Sequence, residues 1–339
     1  MIPPWEFSLD IVTALIFQCF AFANFVKFHC NSIAIFRNPV AIQQKNISVF
    51  RNGEVVRHED IQNGKVDSGY IAELMLGERL EQLYPDKERG RQVQPCLEVK
   101  GLSMAGKFED ISFQANKGEI YGVFGLVGSG IDEISKALFG AMEISGGQVV
   151  KDGEVLSLAS PGQAIRKGLF LVPASRKTEG FLSGLALSAN IVIAKLEKTV
   201  RRLGVVNRRL EAQGAQELVD KLSIATPSVQ KKVNELSGGN QQKVVVAKGL
   251  YTDADVYIFA EPTVGVDVGA KSAIYETMRG LTQNATVIIF SSEPEEVLGN
   301  ADRVMVIYQG KTTLEKNAAD TTLKEMLVHA ISNEEVGQA

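Results

Sequence analysis

The sequence is poor in cysteine, histidine and excess charge, and each shortage excludes a class of protein. Its three cysteines, Cys19, Cys30 and Cys96, lack CxxC spacing, which argues against a disulfide framework and a zinc site. Three histidines are too few for a histidine-rich metal centre. With 36 Lys and Arg against 40 Asp and Glu, the chain lacks the basic excess of a dedicated nucleic-acid binder. Its 339 residues, 45% of them apolar, predict an ordinary cytosolic α/β protein.

Long apolar runs are also scarce, and residues 11–26 (IVTALIFQCFAFANFV) form the most prominent one. A membrane-spanning helix needs about 20 apolar residues, so this run is short. Glu6 and Asp10 precede it, whereas a secretory signal begins with Lys or Arg. We therefore expect a hydrophobic helix in an unassigned leader, residues 1–45. The alternative is a membrane tether.

The next segment, residues 46–85, has the pattern of a folded unit. An Asn52-Gly53 pair between strand-like residues predicts a β-hairpin. Apolar residues at helical spacing predict a helix from Ser68. Residues 86–95 are charged and poor in apolar side chains, which predicts a linker.

The predicted hairpin has an echo near the carboxyl end. Residues 303–316 repeat its strand–turn–strand pattern, with Gly53 aligned with Gly310 and Val49 with Val306. Self-similarity of this kind predicts two copies of one domain. We interpret the first hairpin as the end of a first copy, and chance similarity between two hairpins is the alternative.

A glycine loop follows an apolar strand in the second half of the chain. Gly125, Gly128 and Gly130 end that strand and open a helix, which is the setting of a phosphate-binding loop. Backbone N–H groups and the helix N-terminus favour an anion there. Against the pattern G-x-x-x-x-G-K-[ST], however, Ile131 replaces the lysine and Asp132 replaces the hydroxyl residue. The loop alone is therefore a weak signal, and a packing turn is the alternative.

A second motif, LSGGNQQK, places Ser237, Gly238 and Gly239 at the start of another predicted helix. Bare glycines and a hydroxyl at a helix start make a second phosphate-facing surface. A buried strand then ends at Glu261, where a carboxylate can polarise a water beside a phosphate. Another apolar strand follows at residues 285–293. The four elements in this order are far more specific than any one of them.

Their order resembles that of an ATP-binding-cassette (ABC) ATPase. LSGGNQQK, EPTVGVDVGAK and SSEPEEVLGNADRV are similar to the second cassette of the two-cassette ATPases of ribose-, galactose- and xylose-type importers. The resemblance covers residues 97–328 and implies an α/β P-loop NTPase fold, with a mixed sheet, flanking helices, an antiparallel β subdomain and a helical subdomain. The domain division expected from it is a leader at 1–45, the end of a first cassette at 46–85, a linker at 86–95, an ABC domain at 96–330 and a polar tail at 331–339.

In that family two cassettes pack head to tail and enclose ATP between them. The resemblance implies that Glu261 is the catalytic glutamate that orients the attacking water, and that Glu293 replaces the switch histidine. Asp267 matches the aspartate that communicates across the dimer. Phe108 is either an adenine-stacking aromatic or a core residue. The implied nucleotide-binding residues are Gly125, Gly128, Ser129, Gly130, Ile131 and Asp132 at one nucleotide, Ser237, Gly238, Gly239 and Gln241 at a nucleotide of the opposite cassette, and Asp267 and Glu293.

The cofactors implied by the resemblance are ATP and Mg²⁺. Three departures oppose magnesium: Asp132 in the loop, Ala174 where a carboxylate is usual, and Ala260 where the metal aspartate is expected. No metal ligand is therefore assigned. Because phosphoryl transfer depends on positioning and charge neutralisation, we expect hydrolysis at this site to be severely impaired.

The function implied is that of the ATP-binding subunit of a simple-sugar importer, peripheral at the cytoplasmic face of the inner membrane. The expected partners are a second cassette, the sugar permease subunits and, indirectly, a periplasmic sugar-binding protein, with no nucleic acid. The alternative is a truncated or non-transport pseudo-ATPase that regulates a partner or binds nucleotide. The sequence does not specify the sugar.

Overall fold

The computed structural model of the chain describes residues 26–28, 46–51, 54–60, 83–87, 94–200 and 204–332. The chain divides into two compact units, residues 1–83 and 84–339. In the first unit, strands β1 (Val26–Phe28), β2 (Asn46–Arg51) and β3 (Glu54–Asp60) form an antiparallel sheet in that order. The pairing of β2 with β3 confirms the predicted hairpin.

Two sequence predictions fall on this first unit. Val26, the last residue of the apolar run, begins β1 rather than ending a helix, and β1 pairs with β2 across the predicted boundary at residue 45. Residues 11–25 and the helix predicted from Ser68 lie outside the described residues. In the part of the chain that the structure describes, no helix is both long and apolar enough to cross a membrane.

A six-stranded sheet forms the centre of the second unit, in the order β13-β12-β6-β11-β10-β9. Neighbouring strands from β12 to β9 are parallel, and β13 is antiparallel to β12. The inner strands are continuous apolar runs because helices cover both faces of such a sheet. The strands are β6 (Ile120–Gly125), β9 (Leu169–Val172), β10 (Val256–Ala260), β11 (Thr286–Ser291), β12 (Arg303–Tyr308) and β13 (Lys311–Asn317).

An antiparallel sheet in the order β5-β4-β7-β8 packs on the same core. Helix α1 (Ile131–Leu138) lies in that core, with Ile134 and Leu138 fully buried among residues of both sheets. The strands of this sheet are β4 (Gln94–Met104), β5 (Phe108–Lys117), β7 (Gly146–Lys151) and β8 (Glu154–Val155).

The remaining helices cover the central sheet or form a separate helical group. Helices α3, α4 and α5 pack against one another, which confirms the predicted helical subdomain. Short 3₁₀ segments occur at 193–198, 233–235 and 318–320, and a π turn at 176–180. The helices are α2 (Pro161–Arg166), α3 (Leu187–Val192), α4 (Arg208–Lys221), α5 (Gly238–Tyr251), α6 (Val268–Leu281), α7 (Pro294–Asn300) and α8 (Leu323–His329).

The segment at which the chain enters the second unit is anchored on α7. Tyr84 stacks on Tyr275 of α6 with ring centroids 5.3 Å apart. The Lys87 ammonium donates to the carbonyls of Leu298 and Ala301, at 2.7 Å in each case. Part of the predicted linker therefore has fixed partners near the end of α7.

The two hairpins that echo each other in sequence share a backbone irregularity. The pairing of β2 with β3 shifts register between Val49 and Phe50. The pairing of β12 with β13 shifts between Val306 and Ile307, the positions aligned with Val49 and Phe50. Because β-bulges are conserved within protein families, irregularities at matching positions of the two hairpins support the interpretation of an internal repeat.

Candidate functional site

The carboxyl edge of the central sheet collects three of the predicted motifs. The glycine loop follows β6, Glu261 follows β10, and residues 292–293 follow β11. Because β6, β11 and β10 are parallel neighbours, these three segments lie side by side. Ligands of open α/β sheets bind outside this edge, so the strand order itself assembles a site there.

Side chains of the glycine loop fill its interior. A Cβ added at Gly125 would lie 2.3 Å from the Ser129 Oγ and 2.8 Å from the Ile131 Cγ2. Ile131 is only 6% exposed and belongs to the core. Gly128 and Gly130 have φ of +88° and +104°, which a side chain would strain. The Ser129 hydroxyl is buried and has no hydrogen-bond partner among the described residues.

Two lysines near the glycine loop are each paired with a carboxylate. Lys136, one turn into α1, contacts Asp132 at 3.0 Å and Glu179 at 3.0 Å. Lys107, on the turn before β5, contacts Glu133 at 2.8 Å. These pairs offset the charges of both lysines, and the Asp132 carboxylate is engaged with Lys136.

Glu261 is held in a conformation that ordinary residues avoid. Its φ is +46°, and its Oε1 accepts the Ser292 N–H at 2.9 Å. The Ser291 hydroxyl lies 3.4 Å from its Oε2. Burial raises the pKa of the Glu261 carboxyl, and the bonds from Ser292 oppose that rise. A half-buried carboxyl of raised pKa at a sheet edge is suited to accept a proton from water.

Other predicted residues at this edge have simpler surroundings. Glu293 is exposed and pairs with Lys271 at 3.1 Å. Ala260 is 2% exposed at the end of β10 and presents no metal ligand. Ala174 is partly buried against the core. Among the residues that the structure describes, no group of three or more His, Cys, Asp or Glu side chains is placed to hold a metal ion.

Phe108 does not present an adenine-stacking surface. Its side chain is 4% exposed and packs in the core between the antiparallel sheet and α1. The stacking interpretation is therefore wrong in this structure, and the alternative interpretation as a core residue is confirmed. Phe108 is out of phase with the alternating burial of Ile111 to Ala115, because the pairing of β5 with β4 shifts register between these positions.

The start of α5 forms a second candidate surface. Ser237 is exposed at the N-cap, and its hydroxyl accepts the Asn240 amide at 2.8 Å. A Cβ added at Gly239 would lie 2.8 Å from the Ala270 Cβ and 3.1 Å from the Asp267 Oδ2. The bare glycine thus lets the start of α5 approach the start of α6 closely.

Two residues of this surface differ in where they point. Asp267 is exposed and caps α6, accepting the Ala270 N–H at 3.0 Å. Gln241 is buried, and its amide is engaged with the Leu236 carbonyl, just before the N-cap, at 3.0 Å. The expected contact of Gln241 with nucleotide has no support in this geometry, because the fourth helical position faces inward.

Sequence reasoning missed the part that Arg176 plays at this surface. Its guanidinium donates to the carbonyls of Val264 at 2.9 Å and Gly265 at 3.0 Å. A Cβ added at Gly238 would lie 2.9 Å from its Nη2. Arg176 therefore holds the turn before α6 against the start of α5 and adds a positive charge there. The Arg-Lys pair in PASRK was a signal for it.

Comparison with protein families gives an independent assignment. A profile described as "ABC transporter" matches residues 108–264. The chain is 38% identical over 274 residues to the ribose import ATP-binding protein RbsA of Cereibacter sphaeroides, covering 80% of this chain and 54% of that protein. It is 36% identical over 302 residues to RbsA of Bacillus subtilis, covering 89% and 58%. A protein of Agrobacterium fabrum named for ribose/galactose/methyl galactoside import is 37% identical, covering 84% and 56%.

The chain thus spans a little over half the length of the curated relatives it matches. Among solved structures, the ADP conformation of MJ1267, an ATP-binding cassette of an ABC transporter, aligns with a TM-score of 0.57 at 18% identity, covering 69% of this chain and 99% of that one. A dimeric, post-hydrolysis state of the cassette MJ0796 bound to ADP and Pi aligns with a TM-score of 0.57 at 17% identity, covering 66% and 98%. At such identities the likeness concerns the fold.

Proposed function

The chain carries an ATP-binding cassette of the ABC transporter family, and on that premise we propose that it is the ATP-binding subunit of a simple-sugar importer. Support comes from relatives that are 36–38% identical and named for ribose or for ribose, galactose and methyl galactoside import. Its partners would be a second cassette and the permease subunits, with a periplasmic sugar-binding protein acting through the permease. The cassette would lie at the cytoplasmic face of the inner membrane as a peripheral subunit.

We propose further that the two candidate surfaces have different tasks. The start of α5, with Ser237 exposed and Gly238 and Gly239 bare, would face the nucleotide held by the other cassette. Its intact glycines and the charge of Arg176 are the observation that carries this proposal. Backbone N–H groups at a helix start bind phosphate oxygens without any side-chain cation.

The glycine loop would hold its own nucleotide weakly. Ile131 is packed into the core, where a lysine would have to reach a phosphate, and Asp132 brings a negative charge to the same place. The residues at this edge do not fit a magnesium ion, since Ala174 and Ala260 offer no oxygen ligand. We therefore propose that Glu261 is positioned as the water-orienting residue of a site that turns over slowly or not at all.

An equilibrium titration of the purified chain with Mg-ATP, with phosphate release followed in the same sample, tests this division. We expect weak ATP binding without phosphate release above background. Turnover that disappears in Glu261→Gln would show that the site is competent and would contradict the proposal. Absence of binding at millimolar ATP would leave the α5 surface as the sole nucleotide-facing part of the chain.

The importer function is tested separately by uptake of labelled ribose and galactose into vesicles that contain permease, a second cassette and this chain. We expect uptake to require the chain and to be lost in Ser237→Arg, because that side chain would cover the α5 surface. Ser228→Arg, on an exposed turn outside both surfaces, is the matched control. Uptake that is equal with and without the chain would favour the alternative, a regulatory pseudo-ATPase without a transport role.

A further inference from the structure

A short segment of the chain, residues 84–87, lies against the helix that follows β11, and we call this segment the strap. Tyr84 stacks on Tyr275 of α6 with an angle of 26° between the ring planes. A Cβ added at Gly299 of α7 would lie 2.6 Å from the Tyr84 ring, so the bare glycine lets the ring approach α7 this closely. The Tyr84 ring therefore contacts both α6 and α7.

The strap also supplies a cation to the end of α7. The Lys87 ammonium donates to the carbonyls of Leu298 and Ala301. Arg279 of α6 donates to the Asn300 carbonyl at 2.5 Å. The last carbonyls of a helix have no partner inside it, and cations near them are favourable. Because α7 has only seven residues, its stability depends on such contacts from outside the helix.

The turn that begins with Glu261 is bonded to β11 and α7. The Glu261 N–H donates to the Phe290 carbonyl at 2.8 Å, and the Glu261 Oε1 accepts the Ser292 N–H at 2.9 Å. Two residues after Glu261, the Thr263 hydroxyl donates to the Glu296 Oε1 on α7 at 2.5 Å. The segment from β11 to α7 thus holds both ends of this short turn.

Thr263, Tyr275 and Glu296 form a buried cluster next to Tyr84. Each of the three is 1% exposed. The Tyr275 hydroxyl donates to the Glu296 Oε1 at 2.8 Å and lies 3.4 Å from the Thr263 Oγ1. The ring on which Tyr84 stacks therefore carries the hydroxyl that bonds Glu296. A continuous series of contacts runs from the strap through this cluster to the turn.

Glu261 has a backbone conformation that needs support from its surroundings. Its φ of +46° lies in the left-handed region, which is unfavourable for a residue with a Cβ. Such a conformation persists only where the surrounding structure holds it. A turn released from α7 would relax towards ordinary φ and ψ values and move the Glu261 carboxyl at the sheet edge.

We propose that Tyr84 and Lys87 are positioning residues: by fixing α7 from outside, they hold Thr263 and, through it, the conformation of Glu261. The strap follows directly on the first compact unit, which ends at residue 83. The geometry of the sheet edge thus depends on the chain immediately after that unit. Only the purpose of this arrangement, orienting Glu261 towards a water, rests on the proposed function. A chain that fails the uptake test can therefore still pass the exchange tests that follow, which use no nucleotide.

Hydrogen exchange of the full chain, followed by mass spectrometry on peptides that contain the turn, tests the positioning. The Val264 N–H donates to the Glu261 carbonyl at 3.3 Å, and the Val266 N–H donates to the Thr263 carbonyl at 3.2 Å. In Tyr84→Ala these amides should exchange up to about tenfold faster, because an aromatic contact is lost. Tyr84→Phe keeps the ring and should restore the wild-type rate. Unchanged exchange in Tyr84→Ala, or equally fast exchange in both variants, overturns the proposal.

Gly299→Ala displaces the Tyr84 ring without removing it, and it covers the case in which Tyr84→Ala does not fold. The turn should again exchange faster, although alanine favours the helix itself. Lys87→Met should act in the same direction. Asp86→Ala, exposed in the same strap, is the matched control and should leave exchange of the turn unchanged. Faster exchange confined to α7 would show that the strap stabilises only the helix, and it would contradict the proposal.

The route from the strap to the turn is tested by a double-mutant cycle. Thr263→Val removes the hydroxyl that bonds Glu296 and keeps the shape of the side chain, so it should speed exchange of the turn. In that background Tyr84→Ala should have little further effect on the turn, because members of one network do not act independently. Thr263→Ser keeps the hydroxyl, so Tyr84→Ala should retain its effect there. If the effects of Tyr84→Ala and Thr263→Val multiply, as at independent sites, the route is refuted.

Discussion

The glycine loop and the start of α5 are both helix N-termini made of bare glycines, yet their surroundings are opposite. The loop is filled by Ser129 and Ile131, and the neighbouring lysines are neutralised by carboxylates. The α5 surface leaves Ser237 exposed, and Arg176 bonds carbonyl oxygens there instead of a carboxylate. Helix starts therefore do not make equal anion sites. The strength of such an anion site depends on the net charge around the free N–H groups and on the space beside them.

The largest expected effect comes from a methyl group at the α5 surface. In Gly239→Ala the new Cβ would lie 2.8 Å from the Ala270 Cβ, so α5 and α6 must separate. We expect the free energy of unfolding, measured by urea titration, to fall by about 1–3 kcal/mol, as at other overpacked sites. We also expect phosphate release by the assembled two-cassette complex to fall at least about tenfold, a loss of about 1.4 kcal/mol of barrier stabilisation.

Gly280→Ala is the control for that variant, because nothing lies within 4 Å of its added Cβ on α6. It should stabilise the chain by about 0.5–1 kcal/mol through helix propensity and leave phosphate release unchanged. If the two variants released phosphate at the same rate, the close approach of α5 and α6 would have no effect on ATP hydrolysis.

Two substitutions would give the glycine loop the positive charge and the hydroxyl that it lacks. Ile131→Lys combined with Asp132→Thr raises the local charge by two units. We expect ATP to bind at least about tenfold more tightly in a calorimetric titration, that is, by about 1.4 kcal/mol. The chain should at the same time lose about 2 kcal/mol of stability, because Ile131 leaves the core.

Asp132→Asn alone should improve ATP affinity much less, because the Asp132 side chain is 48% exposed and already paired with Lys136. If the double variant binds ATP no better than the wild-type chain, the charge of the loop is not what separates the two regions. The filled interior would then be the cause.

The last pair of variants concerns stability alone, and it uses one lysine of each region, Lys248 on α5 and Lys136 on α1. Burial lowers the pKa of Lys248 on α5 to about 8, and its ammonium donates to the Gly180 carbonyl. The unfolded chain therefore binds this proton more tightly, and stability should rise between about pH 8 and 10.5 by up to about 1.4 kcal/mol per pH unit. Urea unfolding of Lys248→Met should show a smaller rise.

Lys136→Met is the matched variant at the loop. Burial lowers the pKa of Lys136, but its bonds to Asp132 and Glu179 outweigh that effect and raise it overall. The stability increase above pH 8 should therefore persist in Lys136→Met. If the rise in stability above pH 8 disappeared in Lys136→Met and remained in Lys248→Met, Lys136 and not Lys248 would be its cause.

Local patterns in the sequence were sufficient for several of the strands and for the positions of both glycine motifs. Continuous apolar runs predicted β6, β10 and β11, and the spacing of glycines predicted the starts of α1 and α5. The Asn52-Gly53 pair predicted the β2–β3 hairpin. These features depend on neighbours a few residues apart, which a single sequence displays.

Contacts between distant residues could not be predicted in the same way. Arg176 reaches carbonyls 88 and 89 residues later, and Thr263 reaches Glu296 33 residues later. Gln241 was expected at the nucleotide because its motif is intact, but helical phase turns it inward. Where a side chain points is decided by packing partners that the motif does not contain.

The order of the central sheet has a consequence for how the protein is made. Strand β6, which carries the glycine loop, pairs with β11 and β12, and both come from residues 286–308. During synthesis at about 5–20 residues per second, β6 leaves the ribosome many seconds before either neighbour exists. Until then its apolar side chains are unburied and its backbone N–H and C=O groups lack their strand partners, while the helical subdomain is completed. A chain cut short before β11 would leave the central strand without either of these neighbours.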